Sequence, residues 1–242
     1  MQDIYSHLQF RNNGNALVIG SNGGLGRAIS KFLFEQFHKI SNVFTCSREP
    51  SYQLGENVNH FYINIEDESS VVSAAQKLAG IIDSLDIVVV ATGILQDLPR
   101  IVPEKNMNGL NLEQLSKVFQ VNTFGPAILI KHFSPLLSRK SKSVFALLSA
   151  RVGSISDNKI GGWYSYRSSK AGLNMIVKTA AIEIKRKNPS AVCFSIHPGT
   201  VETNLSAPFK NNKFSKNSFS PEQSAEKIVN VIKEPIGHQT IF

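Results

Sequence analysis

Asn15-Ala-Leu-Val-Ile-Gly20-Ser-Asn-Gly-Gly24-Leu-Gly26-Arg-Ala-Ile29 runs from a short apolar, β-rich segment straight into a helix-period one through closely spaced glycines. Glycine admits positive φ and has no Cβ to block a close approach, while free amides at a helix N-terminus favour an anion. A strand, turn and helix joined in this way cradle nucleotide phosphates. The competing reading is a glycine turn that only caps a helix.

Outward from this turn, apolar β-rich runs alternate with longer helix-period segments, which is the pattern of βαβ units building a parallel sheet. Strand candidates are Ala16–Gly20, Val43–Ser47, Val58–Asn64, Ile87–Thr92, Ser143–Ser149, Ala191–His197 and Gln239–Phe242. Helices are expected over Gly24–His38, Glu68–Asp83, Asn111–Leu137, Trp163–Arg186 and Pro221–Lys233. Right-handed crossovers put these helices on both faces of the sheet and gather the loops after the strands along one edge, where a ligand binds. The expected fold is an α/β doubly wound parallel sheet of about seven strands, one domain over residues 1–242. The irregular, polar stretch Asn204–Ser220 reads as a mobile loop or lid.

Composition narrows the class. The 242 residues are 42% hydrophobic and 18% charged, as in globular proteins. No run reaches the roughly 18 apolar residues of a membrane helix, and the first residues lack the regions of a secretory signal. A cytoplasmic address with no membrane association is therefore expected. Cys46 and Cys193 each lie in an apolar strand-like run, which fits buried thiols better than a disulfide or a metal site. The net charge of +8 permits attraction to nucleic acid, yet the basic residues are scattered in small clusters. It equally suits an enzyme that binds a polyanionic nucleotide, so nucleic acid is not the expected partner.

The glycine spacing is G-x-x-x-G-x-G, not G-x-G-x-x-G. Downstream come Val121-Asn122-Thr-Phe-Gly125, Tyr166-Arg-Ser-Ser-Lys170 and His197-Pro198-Gly199-Thr200-Val201-Glu202-Thr203. In this order the motifs resemble the short-chain dehydrogenase/reductase family, with a Rossmann-type fold, over residues 15–235. The run from Ser149 to Lys170 is most similar to the branch containing C-factor and sniffer-like carbonyl reductases. The resemblance implies hydride transfer between a nicotinamide and a carbonyl or alcohol substrate. It also implies a homodimer through the helices Asn111–Leu137 and Trp163–Arg186, with a tetramer as the alternative. Ala171, Met175, Ala180, Ala181 and Ile184 on the second helix supply an apolar surface for that contact.

Tyr166 and Lys170 are four apart and share a helix face. A phenol with a reference pKa of about 10 is a poor proton donor near neutrality, and a nearby ammonium lowers that value. Tyr164 is a decoy, because four residues later it meets Ser168, which has no charge to give. The resemblance assigns Tyr166 as general acid and base, Lys170 as its partner and ribose ligand, and Asn122 as anchor of a proton relay. The carbonyl-orienting serine departs from the pattern: three residues before Gly153 stands Ala150, so Ser149 takes the role and Ser154 is a weaker alternative. His197 reads as a packed strand-end residue.

For the cofactor, Gly20, Ser21, Asn22, Gly24, Leu25 and Gly26 are expected at the phosphates, with Ile19 where the family usually has Thr. Asn64 and Ile65 are expected at adenine, and Ala91, Thr92 and Gly93 at the end of the fourth strand. Pro198, Gly199, Val201 and Thr203 are expected at the nicotinamide side. After Ser47 the second strand ends on Arg48, with no acid in the position that binds a 2′-hydroxyl. A guanidinium there can pair with a 2′-phosphate, so NADP(H) is the expected cofactor. Arg48 as a plain loop arginine leaves NAD(H) open. The rival function is a nucleotide-binding regulatory or signalling protein on the same fold with weak turnover, a reading that Ala150 feeds.

Overall fold

The computed structural model describes residues 9–49, 55, 58–209 and 218–234. Its strands are β1 (Gly14–Ile19), β2 (Ile40–Ser47), β3 (His60–Tyr62), β4 (Ile87–Val90), β5 (Ser143–Leu148) and β6 (Ala191–Ile196). They form one parallel sheet in the order β3-β2-β1-β4-β5-β6. The expected last strand, Gln239–Phe242, lies outside the described residues, as does much of the expected lid over 204–220. The helices are α1 (Gly24–Gln36), α2 (Glu68–Ala79), α3 (Leu112–Phe119), α4 (Gly125–Phe133), α5 (Tyr164–Lys187) and α6 (Pro221–Lys233).

Alternate side chains of each strand face opposite sides, and every residue of β1, β4, β5 and β6 is buried. One face packs Ala16, Val18, Val89 and Phe194 against Ile29 and Leu33 of α1 and Ile228 and Ile232 of α6. The other packs Leu17, Val88 and Leu147 against Leu78 of α2, Phe133 of α4, and Leu173 and Val177 of α5. Each such Val, Leu, Ile or Phe side chain contributes roughly 1.5–3 kcal/mol relative to exposure. Strand order reverses between β1 and β4, opening a crevice beyond the strands' C-terminal ends. At the other edge buried charges serve the fold: Asp86 accepts from Arg11 Nε (3.0 Å) and Asn15 N (2.9 Å), and Lys142 Nζ donates to the carbonyls of Ile232, Lys233 and Glu234.

Two expectations are corrected. The single helix over Asn111–Leu137 is broken into α3, a π-helical turn at Gln120–Phe124, α4 and a 3₁₀ turn at Ser134–Leu136. The cause is Pro126, which has no N–H for the Asn122 carbonyl four residues back and whose ring crowds it. On α5, Ala181 and Ile184 face the molecule's own sheet, whereas Met175 (68% exposed) and Ile182 (47%) face outward. Cys46 and Cys193 are free and buried. Among the described residues, no helix is long and apolar enough to cross a membrane, and no His, Cys, Asp and Glu group is placed to hold a metal.

Candidate active site

The turn after β1 is shaped by contacts that only glycine allows. Gly20 has φ +89°, and a Cβ there would lie 2.9 Å from the Ala91 carbonyl carbon. A Cβ on Gly26 would lie 2.2 Å from Gly20 O, closer than any real contact. Gly24 faces Thr203, whose Cγ2 is 3.1 Å from where its Cβ would stand. The turn thus meets the end of β4 on one side and the segment after β6 on the other. α1 has Gly23 as its N-cap, with no side-chain cap and no acidic residue in its first turn, which leaves its first amides, those of Gly24, Leu25 and Gly26, turned to an outside acceptor.

Not every polar residue here faces that opening. Ser21 Oγ donates back to Cys46 O at 3.2 Å, beside its own N–H, so it pins the turn to β2. Asn22 Nδ2 donates to Glu49 O (3.2 Å), while its Oδ1 is buried without a partner. Thr92 Oγ1, at the end of β4, is likewise buried and unpartnered. At the end of β2, Ser47 Oγ bonds Glu49 O and His60 Nε2, and Arg48 beside it is exposed. Burial lowers the His60 pKa against a raising bond from the Glu49 backbone. Asn64 Oδ1 accepts from Glu66 N (3.2 Å), and Ile65 packs on Gly125, where a Cβ would come within 3.0 Å of it.

Tyr166 and Lys170 are buried together on α5, the ammonium 5.9 Å from the phenol ring centre. Lys170 Nζ donates to Leu148 O at 3.0 Å. Gly93 passes close to Lys170 and Asn122: its Cβ would lie 3.3 Å from Lys170 Nζ and 3.5 Å from Asn122 Oδ1. Asn122, in the π turn, accepts from Ile94 N and donates to Ile94 O, both at 2.8 Å, and donates to Ser169 Oγ at 3.1 Å. It therefore clamps the backbone after β4 onto α5. The expected lowering of the Tyr166 pKa is not found here. Burial pushes the phenol up to about 12 and the Lys170 ammonium down to about 8. Each charged form has lost its water, and the ammonium is engaged by a carbonyl rather than by the phenol.

Around Tyr166 lie Leu95, Ala150, Val152, Trp163 and Leu205, an apolar surround. The Ser149 hydroxyl is directed elsewhere, donating to Asn174 Oδ1 of α5 at 2.7 Å, while Ala150 takes the position against Tyr166. Asn174 is a partner the sequence reading missed, although it stands four residues beyond Lys170 on the same helix face. The Ser154 hydroxyl bonds Ser156 Oγ and Asp157 N, at 3.4 Å each. Beyond β6, Gly199 turns at φ +80° against Phe219, Val201 is buried, and Thr203 N donates to Val201 O at 2.9 Å. Pro198 O accepts from Ser224 Oγ at 2.7 Å. His197 Nδ1 is buried without a partner, and burial, with the nearby Arg151 charge, lowers its pKa.

Comparison with known proteins matches the family described as short chain dehydrogenase to residues 14–213. An uncharacterized oxidoreductase of Schizosaccharomyces pombe is 27% identical over 235 residues, covering 89% of this chain and 88% of the relative. The 1-hydroxy-2-glutathionyl-2-methyl-3-butene dehydrogenase of a Rhodococcus species is 26% identical over 213 residues, 88% of each. Among solved structures, the NADPH-bound carbonyl reductase from chicken fatty liver superposes with a TM-score of 0.79 at 23% identity, covering 95% of this chain and 90% of that one. The carbonyl reductase Sniffer of D. melanogaster superposes with a TM-score of 0.77 at 22% identity, covering 93% and 92%.

Proposed function

Because the chain belongs to the short-chain dehydrogenase family, and is an oxidoreductase of it, we propose that it interconverts a carbonyl and an alcohol with NADP(H), using Tyr166 to move the proton. The observation that carries this reading is the meeting of Tyr166, Lys170, Asn122 and Gly93 at the sheet edge that also holds the glycine turn. The turn fits a dinucleotide: uncapped α1 amides await an acceptor, the space over Gly20 and Gly26 admits no side chain, and Thr92 Oγ1 and Asn22 Oδ1 are buried without partners.

When bound, the nicotinamide nucleotide supplies the redox chemistry. Gly24, Leu25 and Gly26 hold its phosphates through backbone amides, and the Val201–Thr203 segment borders the nicotinamide side. Tyr166 Oη gives a proton to the carbonyl oxygen in reduction and takes it back in oxidation. Lys170, held at the Leu148 carbonyl beside the tyrosine, would hold the ribose and supply the positive charge of the site. Asn122 fixes the backbone around Gly93 and Ile94 against which the substrate lies. The apolar surround of Tyr166 excludes water from the proton transfer.

Arg48 selects NADPH on this reading, and the NADPH in the chicken carbonyl reductase supports the same cofactor. Arg48→Ala is expected to weaken NADPH by roughly ten- to a hundredfold, the worth of a charge-assisted bond, and to leave NADH unchanged. Binding titrations with both cofactors check this; equal weakening counts against it. The outward Phe124 of the π turn and Met175 and Ile182 of α5 fit a homodimer through the 111–137 segment and α5, and light scattering at micromolar concentration is expected to give twice the chain mass. Ala150 beside Tyr166 favours a second reading, nucleotide binding without efficient turnover; a carbonyl panel in which NADPH binds but is never consumed would select it.

A further inference from the structure

The helix that carries Tyr166 and Lys170 starts without a cap of its own. Trp163, its N-cap residue, sits in the left-handed region at φ 52°, offers no side-chain acceptor, and no acidic residue occupies the first turn. A helix begun this way leaves its first amides in need of partners. The acceptor comes from 61 residues upstream: Glu104 Oε2 receives Ser165 N at 3.2 Å, and Oε1 receives the Ser165 hydroxyl. Gln114 Nε2 of α3 donates to the same Oε1 at 2.8 Å, and Trp163 N donates to the Glu104 carbonyl at 2.5 Å.

Glu104 is 3% exposed, yet the donors to its carboxylate are neutral. A buried carboxylate is costly without compensation. Here the compensation is those bonds and the positive end of a 24-residue helix, which stabilises an anion at its first turn. Burial raises the Glu104 pKa, but the bonds from Ser165, the backbone and Gln114 outweigh it and hold the carboxyl below its usual range. Ser165 directly precedes Tyr166, and the loop bearing Glu104 also contributes Leu95 to the surround of that tyrosine.

We infer that Glu104 is the positioning residue of the catalytic helix, capping it from the loop between β4 and α3 and so coupling that loop's conformation to the placement of Tyr166. The inference rests on the proposed role of Tyr166 for its kinetic consequence alone; the anchoring is a property of the fold. Glu104→Gln keeps the size but replaces one oxygen by an amide that confronts the Ser165 or Gln114 donors, and it removes the charge at the helix end.

The test uses the full chain as Glu104→Gln, Ser165→Ala and the double variant. Hydrogen exchange followed by mass spectrometry is expected to speed up about tenfold or more in a peptide covering 163–170 and to stay unchanged over 176–187. With a carbonyl that the wild type reduces, kcat is expected to fall at least tenfold, because small misplacements of a reacting group are costly, with NADPH affinity held within about twofold of wild type. The double variant is expected to be no worse than Glu104→Gln, as the two residues act as a unit. Wild-type exchange over 163–170 in folded Glu104→Gln, or single effects that multiply, overturns the inference. If Glu104→Gln does not fold, Ser165→Ala decides through the same exchange and kinetic readouts. Should the wild type reduce no carbonyl at all, the proposed reaction fails while the exchange result still decides the anchor.

Discussion

Tyr166→Phe is expected to lower turnover by a factor of about 10² to 10⁴, the range lost with a general acid, while NADPH affinity and the melting temperature stay close to wild type. The substitution removes one oxygen and nothing of the packing. The ring stands edge-on to Trp163, with centroids 6.3 Å apart at 80°, and touches the apolar surround of Leu95 and Ala150. A phenyl group keeps those contacts. Loss of activity without loss of fold or cofactor binding therefore isolates the proton at Oη, measured by NADPH consumption beside a thermal melt and a binding titration. A Phe variant as active as the wild type would refute the assignment. Under the second reading, in which the protein binds nucleotide without turnover, the wild type and the variant would be equally silent toward every carbonyl tried.

The fold was legible because its signals are local. The glycine turn, the alternation of apolar strands with amphipathic helices, and the uncapped start of α1 all lie within single βαβ units, and the boundaries of the described strands fell within two residues except at the start of β2, which begins at Ile40 rather than Val43. That Tyr166 and Lys170 lie together on one helix was legible for the same reason. What escaped was set by contacts between distant segments. Pro126 disturbs the long helix through the Asn122 carbonyl, a consequence that hydrophobic period does not carry. Ser149 could be aimed at a substrate or at α5, and only the position of Asn174 shows the second. Glu104 stands in an irregular loop with no motif around it, and its meaning depends wholly on Ser165 and Gln114. The electrostatic sign was missed as well: proximity of an ammonium argues for a lowered phenol pKa, but burial, invisible in spacing, pushes the phenol up.

Lys170 carries the second large effect, because stability and activity are expected to part company there. Its ammonium is buried, and burial pulls its pKa from an ordinary 10.5 down to about 8. Between those two values the unfolded chain holds the proton that the folded chain has released. Stability therefore rises with pH across this window, and the benefit is lost as pH falls through about 8. Replacing a buried charge by an apolar side chain of similar shape relieves that cost, so Lys170→Met is expected to melt no lower than wild type near neutrality. Activity goes the other way. On the proposed reading the variant has no ammonium for the ribose or the proton transfer, and kcat/KM for NADPH is expected to drop by about two orders of magnitude or more. In the wild type the same quantity reports ionisations of the free protein and is expected to fall as pH rises through about 8, where Lys170 loses its charge. Lys170→Arg, charged at every accessible pH, is expected to lose that decline whatever its absolute rate. A wild-type profile that stays flat from neutrality to beyond pH 9, or a Met variant that loses activity only by unfolding, would remove Lys170 from the proton chemistry and leave it as a structural partner of the Leu148 carbonyl.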